Sequence, residues 1–245
     1  MKVLVIGASG ATGLHVVKQL IELHIEVIVI VRNPVKIYSL QNKDNLKIIT
    51  DSILNVEINK LSEYLNGVDA IISCLGHNIS VKGIFGKPHT LVTSALIKLC
   101  ESTKRIKMKK KIKLILMNTT ACLNPEINEK FSSTENIIIA VLRFLLPPQR
   151  DNEQAINYLR NTIGKNDDFI EWIAVRPDTL INEETVSKYK IYASTVRSPI
   201  FNAGKISRIN VANFMTNLLM KQELWDKWKY MMPVIYNDYN NKKDA

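Results

Sequence analysis

The chain opens with a change in the period of its apolar positions. Lys2–Ile6 is a short apolar run rich in β-branched residues, and after the glycine-rich stretch Gly7–Gly13 the apolar residues of Leu14–Ile21 recur at helical spacing. A second apolar run follows at Glu26–Val31. A strand, a tight turn, a helix and a second strand in this order predict a βαβ unit with a right-handed crossover.

Later apolar runs continue this alternation. Four more strands are predicted, at Leu46–Thr50, Gly67–Gly76 with its exit, Ile112–Met117 and Phe169–Pro177. Helices are predicted at Ile58–Leu65, from Pro88, at about Arg150–Asn161 and around Phe214–Leu219. Strands and helices that alternate in this way are typical of a parallel sheet covered on both faces. We therefore predict an α/β fold, a doubly wound (Rossmann) parallel sheet flanked by helices.

The length and composition fit one domain. A chain of 245 residues with 46% apolar residues can bury a substantial core. We predict a single domain over residues 1–236, with a polar tail over 237–245. Two substrate-side loops are expected, at about 77–88 and 124–150, where the apolar period is lost.

The second of these loops contains the most apolar stretch of the chain. Ile137–Leu146 would be apolar on every side if it were helical, and Pro147 and Pro148 end it. It is short and interrupted by Arg143, so we expect no membrane span. Packing in the core, an apolar wall over a flat substrate and a dimer contact all fit this pattern, so we expect a monomer or a homodimer.

The glycine-rich stretch is the first candidate for chemistry. Gly7 would allow a sharp turn out of the strand, Gly10 would let a pyrophosphate approach the backbone, and Gly13 would let the helix pack close to the sheet. The free N–H groups of the first helical turn would then face the phosphates. The residues predicted to bind the cofactor here are Gly7, Ser9, Gly10, Ala11, Thr12 and Gly13.

The end of the second strand distinguishes between the two nicotinamide dinucleotides. An NAD site usually has an acidic residue there for the ribose 2′-hydroxyl, whereas a cation suits the 2′-phosphate of NADP. Arg32 stands where the acid is expected, and Lys36 follows. This favours NADPH over NADH as the cofactor. Two solvated surface cations in a lysine-rich chain are the alternative.

These motifs carry a family resemblance that covers almost the whole chain. Gly7–Gly13 together with Val31–Pro34 resembles the atypical short-chain dehydrogenase/reductase group, which contains NmrA-like proteins and the flavin reductase/biliverdin-IXβ reductase family. Val175–Pro177 resembles the family's strand exit. Ile206–Ala212 resembles its Ile-Ser-Arg-x-Asp-x-Ala motif, with Asn210 in place of the acid. Asn is a good helix N-cap, so we expect Asn210 to cap the next helix.

The resemblance implies further cofactor contacts. Asp51, with Ser52, would lie beside the adenine, although Asp51 could equally cap the following turn. Leu75 and Gly76, at the exit of the fourth strand, would approach the central part of the cofactor. The backbone at Pro177 would border the nicotinamide, and Thr119, at the exit of the fifth strand, is the remaining predicted cofactor contact.

The exit of the fifth strand is the candidate for catalysis. Ordinary short-chain dehydrogenases place a Ser or Thr here and a Tyr-x-x-x-Lys pair on the next helix. The Tyr exchanges a proton with the carbonyl oxygen of the substrate, and the Lys lowers the pKa of the Tyr. Thr119 and Thr120 supply hydroxyls, but Tyr158 on the predicted helix has no lysine four residues later. The match from Tyr239 to Lys243 lies in the polar tail, and we interpret it as chance.

The missing pair argues against a standard alcohol dehydrogenase or a sugar-nucleotide epimerase. The resemblance implies a reductase whose flat acceptor, such as a flavin, a quinone or a tetrapyrrole, accepts hydride directly. Thr120 would then hold the carboxamide or the substrate, or simply cap a turn. Glu153 stands where the family often has a His, so the resemblance leaves the substrate open. The alternative is an NmrA-like redox sensor that binds the dinucleotide and regulates a protein partner.

Charge and cysteine usage limit the remaining partners. The formal charge is +10, and seven Lys or Arg residues lie within Lys104–Lys113, between a predicted helix and a predicted strand. We interpret this span as a solvated loop, and the alternative is a surface for an anionic partner, either nucleic acid or membrane lipid. Because no aromatic residues are interleaved, the stacking that single-strand binding uses is missing, and we do not expect nucleic acid as a partner. Cys74, Cys100 and Cys122 form no C-x-x-C pair. With no secretory signal after Met1, they indicate reduced thiols, a cytoplasmic location and no metal site.

Overall fold

A mixed sheet of eight strands forms the centre of the protein. The computed structural model describes residues 1–77 and 85–239. The strands are β1 (Lys2–Ile6), β2 (Glu26–Val31), β3 (Leu46–Thr50), β4 (Ala70–Ser73), β5 (Ile112–Met117), β6 (Ile170–Pro177), β7 (Thr179–Ile181), β8 (Tyr189–Tyr192), β9 (Lys205–Ser207) and β10 (Val234–Asn237). The sheet order is β3-β2-β1-β4-β5-β6-β10-β8, and β7 pairs with β9 in a small second sheet. Within the large sheet, β8 runs antiparallel to β10 and the other pairs are parallel.

Seven α-helices are present in the described part of the chain. They are α1 (Ala11–Glu22), α2 (Ile58–Leu65), α3 (Leu91–Ile106), α4 (Ser133–Leu145), α5 (Pro147–Tyr158), α6 (Arg208–Met220) and α7 (Gln222–Trp228). Short 3-10 turns lie at Tyr38–Leu40 and Pro125–Ile127, and one π-helical turn, Leu159–Ile163, extends α5. The α/β fold and its mostly parallel sheet confirm the predicted fold class.

The alternation of side chains along β1 explains how the two faces are covered. Val3 and Val5 belong to the core cluster that contains residues of α1, α6 and α7. Leu4 and Ile6 belong to the cluster that contains residues of α2, α3 and α5. All four side chains are fully buried. Since successive strand residues point to opposite faces, an apolar run without alternation fits a strand covered on both sides.

The strand order reverses beside β1, and a ligand-binding crevice is expected at this reversal. From β1 the chain moves outward to β2 and β3, and it then returns to place β4 on the other side of β1. Ligands of open α/β sheets bind outside the carboxyl ends of the strands at such a reversal. The glycine-rich stretch follows β1 directly and therefore lies at this point.

The expected substrate-side loop over 124–150 is largely helical. Residues of α4 and the start of α5 occupy much of it, separated by Leu146. The sequence contained a signal for α4, because Ser132 and Glu135 form a capping box in which each side chain bonds the other's backbone N–H. Pro147 and Pro148 end α4, as expected, but they also open α5, where proline costs no hydrogen bond.

The apolar residues of α4 do not form part of the core. Only Glu135 and Ile139 are buried on this helix, whereas Phe144 is 89% exposed. Ile137, Val141 and Leu145 are also exposed. Packing in the core is therefore the wrong interpretation for most of Ile137–Leu146, and the wall over a substrate and the dimer contact stay as predictions.

Two expectations near the C-terminus need correction. Asn237 belongs to β10 and is buried, so the polar tail begins after it; residues 240–245, and with them Lys243, lie outside the described residues. Ser207, rather than Asn210, caps α6, because its side chain accepts the N–H of Asn210. Asn210 lies inside the helix and donates to Asn237 Oδ1 at 2.7 Å. The partner of Asn210 is a buried residue of strand β10, which the local sequence does not reveal.

Trp225 and Trp228 are buried and close the core, as predicted. Of the residues in Lys104–Lys113, Lys104 pairs with Asp167 at 2.6 Å, and the span includes the end of α3 and the start of β5 besides a loop. No helix in the described ranges has the length and hydropathy that a membrane crossing needs.

Candidate functional site

A groove lies at the carboxyl ends of β1 to β4. Its volume is about 560 Å³. The residues that line it come from the four strand exits and from the start of α3; they are Ile6, Gly7, Ser9, Gly10, Ala11, Ile30, Val31, Arg32, Asn33, Val35, Lys36, Asp51, Ser52, Ile53, Cys74, Leu75, Gly76 and Leu91. Several separate chain segments thus meet at the strand-order reversal.

Two glycines make the floor of the groove possible. Gly7 has a φ of +72°, and a Cβ there would lie 2.5 Å from the backbone carbonyl of Cys74. A Cβ on Gly13 would lie 2.2 Å from the carbonyl oxygen of Gly7. Only glycine fits these positions without moving backbone atoms. The turn can therefore press α1 against β1 and β4 while its outer edge stays open.

The N-terminus of α1 presents donors to this groove. Gly10 occupies the N-cap position without a side-chain hydrogen bond, and the first turn contains no acidic residue. The first N–H groups of a helix have no partner within the helix, and the helix dipole favours negative charge there. The end of α1 is thus suited to a phosphate group.

The two cations at the exit of β2 face the same groove. Arg32 and Lys36 are exposed, and among the described residues neither forms an ion pair. Asp51, at the exit of β3, is exposed and its Oδ1 accepts the N–H of Ser52 at 2.6 Å. Asp51 lines the groove, which is compatible with both a role beside the adenine and a cap on the following turn.

The predicted cofactor residues fall into three groups. Gly7, Ser9, Gly10, Ala11, Arg32, Lys36, Asp51, Ser52, Leu75 and Gly76 line the groove. Thr12 and Gly13 are buried beneath it at the start of α1. Thr119 and Pro177 lie outside it, together with the catalytic candidate Thr120, at the exits of the next two strands, β5 and β6. Neighbouring strands are about 4.8 Å apart, so a dinucleotide that starts at β2 and crosses β1 and β4 leads toward these exits.

Thr120 is buried and has a partner that the sequence analysis missed. Its side chain is 3% exposed, and its hydroxyl hydrogen-bonds the carboxylate of Asp178, which directly follows β6. The same carboxylate accepts the N–H of Gly204 at 2.9 Å and the N–H of Thr179. Burial nevertheless raises the pKa of Asp178 above its ordinary value. Asp178 directly follows Pro177, which the sequence analysis places beside the nicotinamide, so Asp178 could have been identified as a candidate from its position in the sequence.

A buried ion pair also stabilises this end of the sheet. Arg176, on β6, is fully buried and donates to Glu129 Oε2 at 2.6 Å and to the carbonyl oxygens of Cys122 and Met232, each at 2.8 Å. Glu129 also accepts the N–H of Asn124. Burial opposes ionisation of Glu129, but the hydrogen bonds and charge of Arg176 outweigh it and lower the pKa of Glu129. Arg176 thus holds the segment after β5 against β6.

A second carboxylate missed by the sequence analysis is Asp151 on α5. Its side chain is fully buried and accepts the N–H groups of Val92 at 2.7 Å and Thr93 at 2.9 Å, so it caps α3 from another helix. His77 Nε2 lies 2.8 Å from the same carboxylate. Asp151 thereby ties the exit of β4 to α3 and α5.

Glu153, at the family's His position, is held in a salt bridge. Arg143 Nε lies 2.5 Å from Glu153 Oε2, and Gln149 donates to Oε1 at 3.0 Å. The pairing joins α4 to α5. Tyr158, on the same helix, is partly buried, and burial raises its pKa to about 12. Neither residue is arranged as a proton donor at neutral pH.

The fold and the groove together define a Rossmann-type dinucleotide-binding protein. The comparison with known families agrees, because a family model described as NAD(P)H-binding matches residues 7–222. The chain belongs to this NAD(P)H-binding family, which is of the atypical short-chain dehydrogenase/reductase type. No match is found among curated proteins.

Solved structures extend the similarity to the whole fold. The oxidoreductase ylbE from Lactococcus lactis is 18% identical with a TM-score of 0.69, over 97% of this chain and 91% of that one. A short-chain dehydrogenase/reductase from Veillonella parvula, in complex with NADP, is 12% identical with a TM-score of 0.68, over 97% and 94%. ChuY, an anaerobillin reductase from Escherichia coli O157:H7, is 13% identical with a TM-score of 0.66, over the full length of both chains.

Within the described ranges, no group of three or more His, Cys, Asp or Glu side chains could hold a metal ion. The thiols of Cys74, Cys100 and Cys122 are free and buried. Burial raises the pKa of Cys74 to about 12 and that of the other two still further. These thiols are therefore packing residues without the thiolate character that metal binding or nucleophilic attack needs.

Proposed function

We propose that this protein is an NADPH-dependent reductase that transfers hydride to a flat conjugated acceptor, such as a flavin, a quinone or a tetrapyrrole. The observation that carries the proposal is the groove at the exits of β1 to β4, because the exits of β5 and β6 come next along the same edge of the sheet. The phosphates would lie at the N-terminus of α1, and the reactive end would then reach Thr119, Thr120 and Pro177. Two similar folds, an NADP complex and an anaerobillin reductase, support this class of reaction.

The preference for NADPH rests on Arg32 and Lys36. Both side chains are exposed in the groove and no described acidic residue pairs with either. A guanidinium at the end of the second strand can bind the 2′-phosphate in a bidentate manner, whereas an NAD site would favour an acidic residue. NADPH is therefore expected to bind more tightly than NADH.

In this reaction the residues of the chain mainly bind and orient. The bound nicotinamide would supply the hydride. The glycine turn and the N-terminus of α1 hold the phosphates, and Leu75 and Gly76 line the middle of the groove. Thr119 and Pro177 border the reacting end, because their backbones leave β5 and β6 beside each other. Fixed orientation of the two reactants is the main source of rate enhancement for such an arrangement.

The test is NADPH oxidation, followed by nicotinamide absorbance, against a panel of free flavins, quinones and biliverdin. NADH serves as the control cofactor. Saturable oxidation with one acceptor, faster with NADPH, is the expected result. Tight NADPH binding without oxidation by any acceptor would contradict the proposal and favour the NmrA-like regulator, for which a partner that binds only the NADP-loaded protein should then be sought.

A further inference from the structure

Reduction by hydride leaves a proton to be supplied. A hydride adds two electrons and one hydrogen, so a quinone oxygen or a pyrrole nitrogen gains a negative charge that a proton must neutralise. Ordinary short-chain dehydrogenases draw this proton from a tyrosine, and no Tyr-x-x-x-Lys pair occurs on α5. The question is which group near the exits of β4, β5 and β6 could take its place.

Most titratable groups near these exits are unsuited to the task. Burial raises the pKa of Cys74 to about 12, so this thiol holds its proton too tightly. Glu153 is engaged by Arg143, and Glu129 is ionised by its bond to Arg176. Tyr158 packs against the core cluster beneath the sheet. His77, at the exit of β4, is directed at the buried carboxylate of Asp151, which caps α3. Among the described carboxylates at the exits of β5 and β6, this leaves Asp178.

The geometry around Asp178 fixes a carboxyl group at the carboxyl edge of the sheet. The residue follows Pro177, where β6 leaves the sheet, and its side chain is only partly buried. Thr120, at the exit of the neighbouring strand, hydrogen-bonds the carboxylate, and the N–H of Gly204 fixes one oxygen from the other side at 2.9 Å. Two strand exits therefore hold one carboxyl group on the carboxyl edge of the sheet, two strands beyond the groove, where the proposed function places the acceptor.

We propose that Asp178 is the proton donor for the acceptor, and that Thr120 is the positioning residue that orients its carboxyl group. This rests on the proposed reductase function and refines its substrate class. The acceptor takes two electrons and a hydrogen as hydride, the Asp178 carboxyl group gives its proton to the oxygen or nitrogen that becomes negative, and the resulting carboxylate regains a proton from water. The nicotinamide is oxidised by two electrons and the acceptor is reduced by two.

The charges around Asp178 set how readily it holds this proton. Burial raises its pKa, whereas Arg197 and the bonds from Gly204, Thr179 and Thr120 lower it. Tyr236, on β10, also faces the carboxylate, and the Arg176–Glu129 pair lies close to that tyrosine. The net result is a pKa above the ordinary value of an aspartate, which increases the protonated fraction at any given pH.

The proposal separates two classes of acceptor. A flavin that accepts hydride at its N5 atom becomes an anionic hydroquinone, which is stable in water and needs no proton during the transfer. A quinone or an open-chain tetrapyrrole forms an anion that must be protonated. A protein with a dedicated donor at Asp178 should therefore favour quinones or tetrapyrroles over flavins.

The kinetic test compares the two classes in one variant. Asp178→Asn should slow quinone or biliverdin reduction about 100-fold or more, which is the usual contribution of a general acid, and should slow FMN reduction far less. The wild-type quinone rate should fall as pH rises through the pKa of Asp178, and the variant should lose this dependence. Asp168→Asn, at the exposed start of the same strand segment, is the matched control.

The second test measures the protonation of the Asp178 carboxyl group in the protein alone, without any acceptor. In protein labelled with 13C at aspartate side chains, the signal absent from Asp178→Asn identifies its carboxyl carbon. We expect its titration midpoint to lie above that of an ordinary aspartate. Thr120→Val should raise the midpoint further, because the hydroxyl bonds the ionised form, and Thr120→Ser should restore it.

Each outcome has a distinct meaning. Equal slowing of FMN and quinone reduction by Asp178→Asn, or no slowing of either, would overturn the donor role while the reductase function stands. A midpoint at or below the ordinary value, unaffected by Thr120→Val, would overturn the positioning role of Thr120. Failure to reduce any acceptor would overturn the proposed function and the donor role together.

Discussion

The two halves of the carboxyl edge are built by different means. At the exits of β1 to β3 the groove is formed by backbone, with glycines at the closest contacts and with Arg32 and Lys36 unpaired among the described residues. At the exits of β5 and β6 the structure depends on side chains that already have partners within the chain. Arg176 with Glu129 and Thr120 with Asp178 are the two main examples.

The exits of β1 to β3 are therefore suited to binding a ligand, whereas the buried ion pair beside β5 and β6 contributes to the stability of the fold. An unpaired surface cation and an open helix end contribute little to folding, but they are free to bind an anion. A buried ion pair is expensive to break, and its groups have no bonding capacity left for a ligand. Substitutions in the first half should therefore affect cofactor affinity, and substitutions of the buried pair in the second half should affect stability.

The largest expected effect concerns Arg176. Arg176→Met would leave the buried Glu129 carboxylate without its cation and three carbonyl oxygens without this donor, and should lower the free energy of unfolding by about 3–5 kcal/mol. Urea unfolding measures this. Lys60→Met, which breaks an exposed ion pair with Glu63, is the control and should cost little. A loss no larger than that of the control would show that the buried pair does not hold this end of the sheet.

Gly10→Val should have the opposite signature. A side chain at this open N-cap would exclude phosphate from the helix end, and because each hydrogen bond to a charged group contributes about 1.5–3 kcal/mol, losing two should weaken NADPH binding about 100-fold or more. Isothermal titration calorimetry measures the affinity, and urea unfolding should show a smaller loss of stability than Arg176→Met shows.

Gly10→Ala is the graded control for this experiment. Its Cβ would meet the carbonyl oxygen of Gly7 at 3.1 Å, a contact that a small shift relieves. It should therefore weaken NADPH binding less than valine does. Unaltered affinity in Gly10→Val would contradict the assignment of the phosphate site to this turn.

Arg32→Ala should affect one cofactor more than the other. Loss of a charge-assisted bond to the 2′-phosphate, about 1.5–3 kcal/mol, should weaken NADPH binding roughly tenfold or more and leave NADH binding nearly unchanged. Binding of both cofactors is measured by nicotinamide fluorescence. Arg105→Ala, at the far end of α3, is the control. A similar loss for NADPH and NADH would exclude a specific contact with the 2′-phosphate.

The smallest effect is a dependence of stability on acid pH. The pKa of Glu129 is lower in the folded protein than in the unfolded chain, so its contribution to stability is complete above the ordinary glutamate pKa and is lost as pH falls through the folded value. Glu129→Gln should therefore flatten the decline in unfolding free energy below about pH 4.5. An unchanged slope would mean that other carboxylates cause the acid sensitivity.

The order of strands and helices could be predicted well where local period and length agree. The bounds of β1, β3 and β5 match the apolar runs, and α2 matches the predicted Ile58–Leu65. Prediction was poorer over residues 124–150, because an apolar stretch without a polar face does not reveal which side is buried. The capping box at Ser132 was the available signal there.

The candidate site divides in the same way. The glycine turn, the helix that follows it and the cations after β2 are encoded in contiguous residues, because a positive φ, a helix start and a strand end are local properties. The sequence by itself therefore determined the fold class and the position of the dinucleotide groove. The contacts of Arg176 with Glu129, Asp151 with α3 and Thr120 with Asp178 join distant segments. Only the tertiary structure decided these, because a carboxylate's partner and pKa depend on what the fold packs against it.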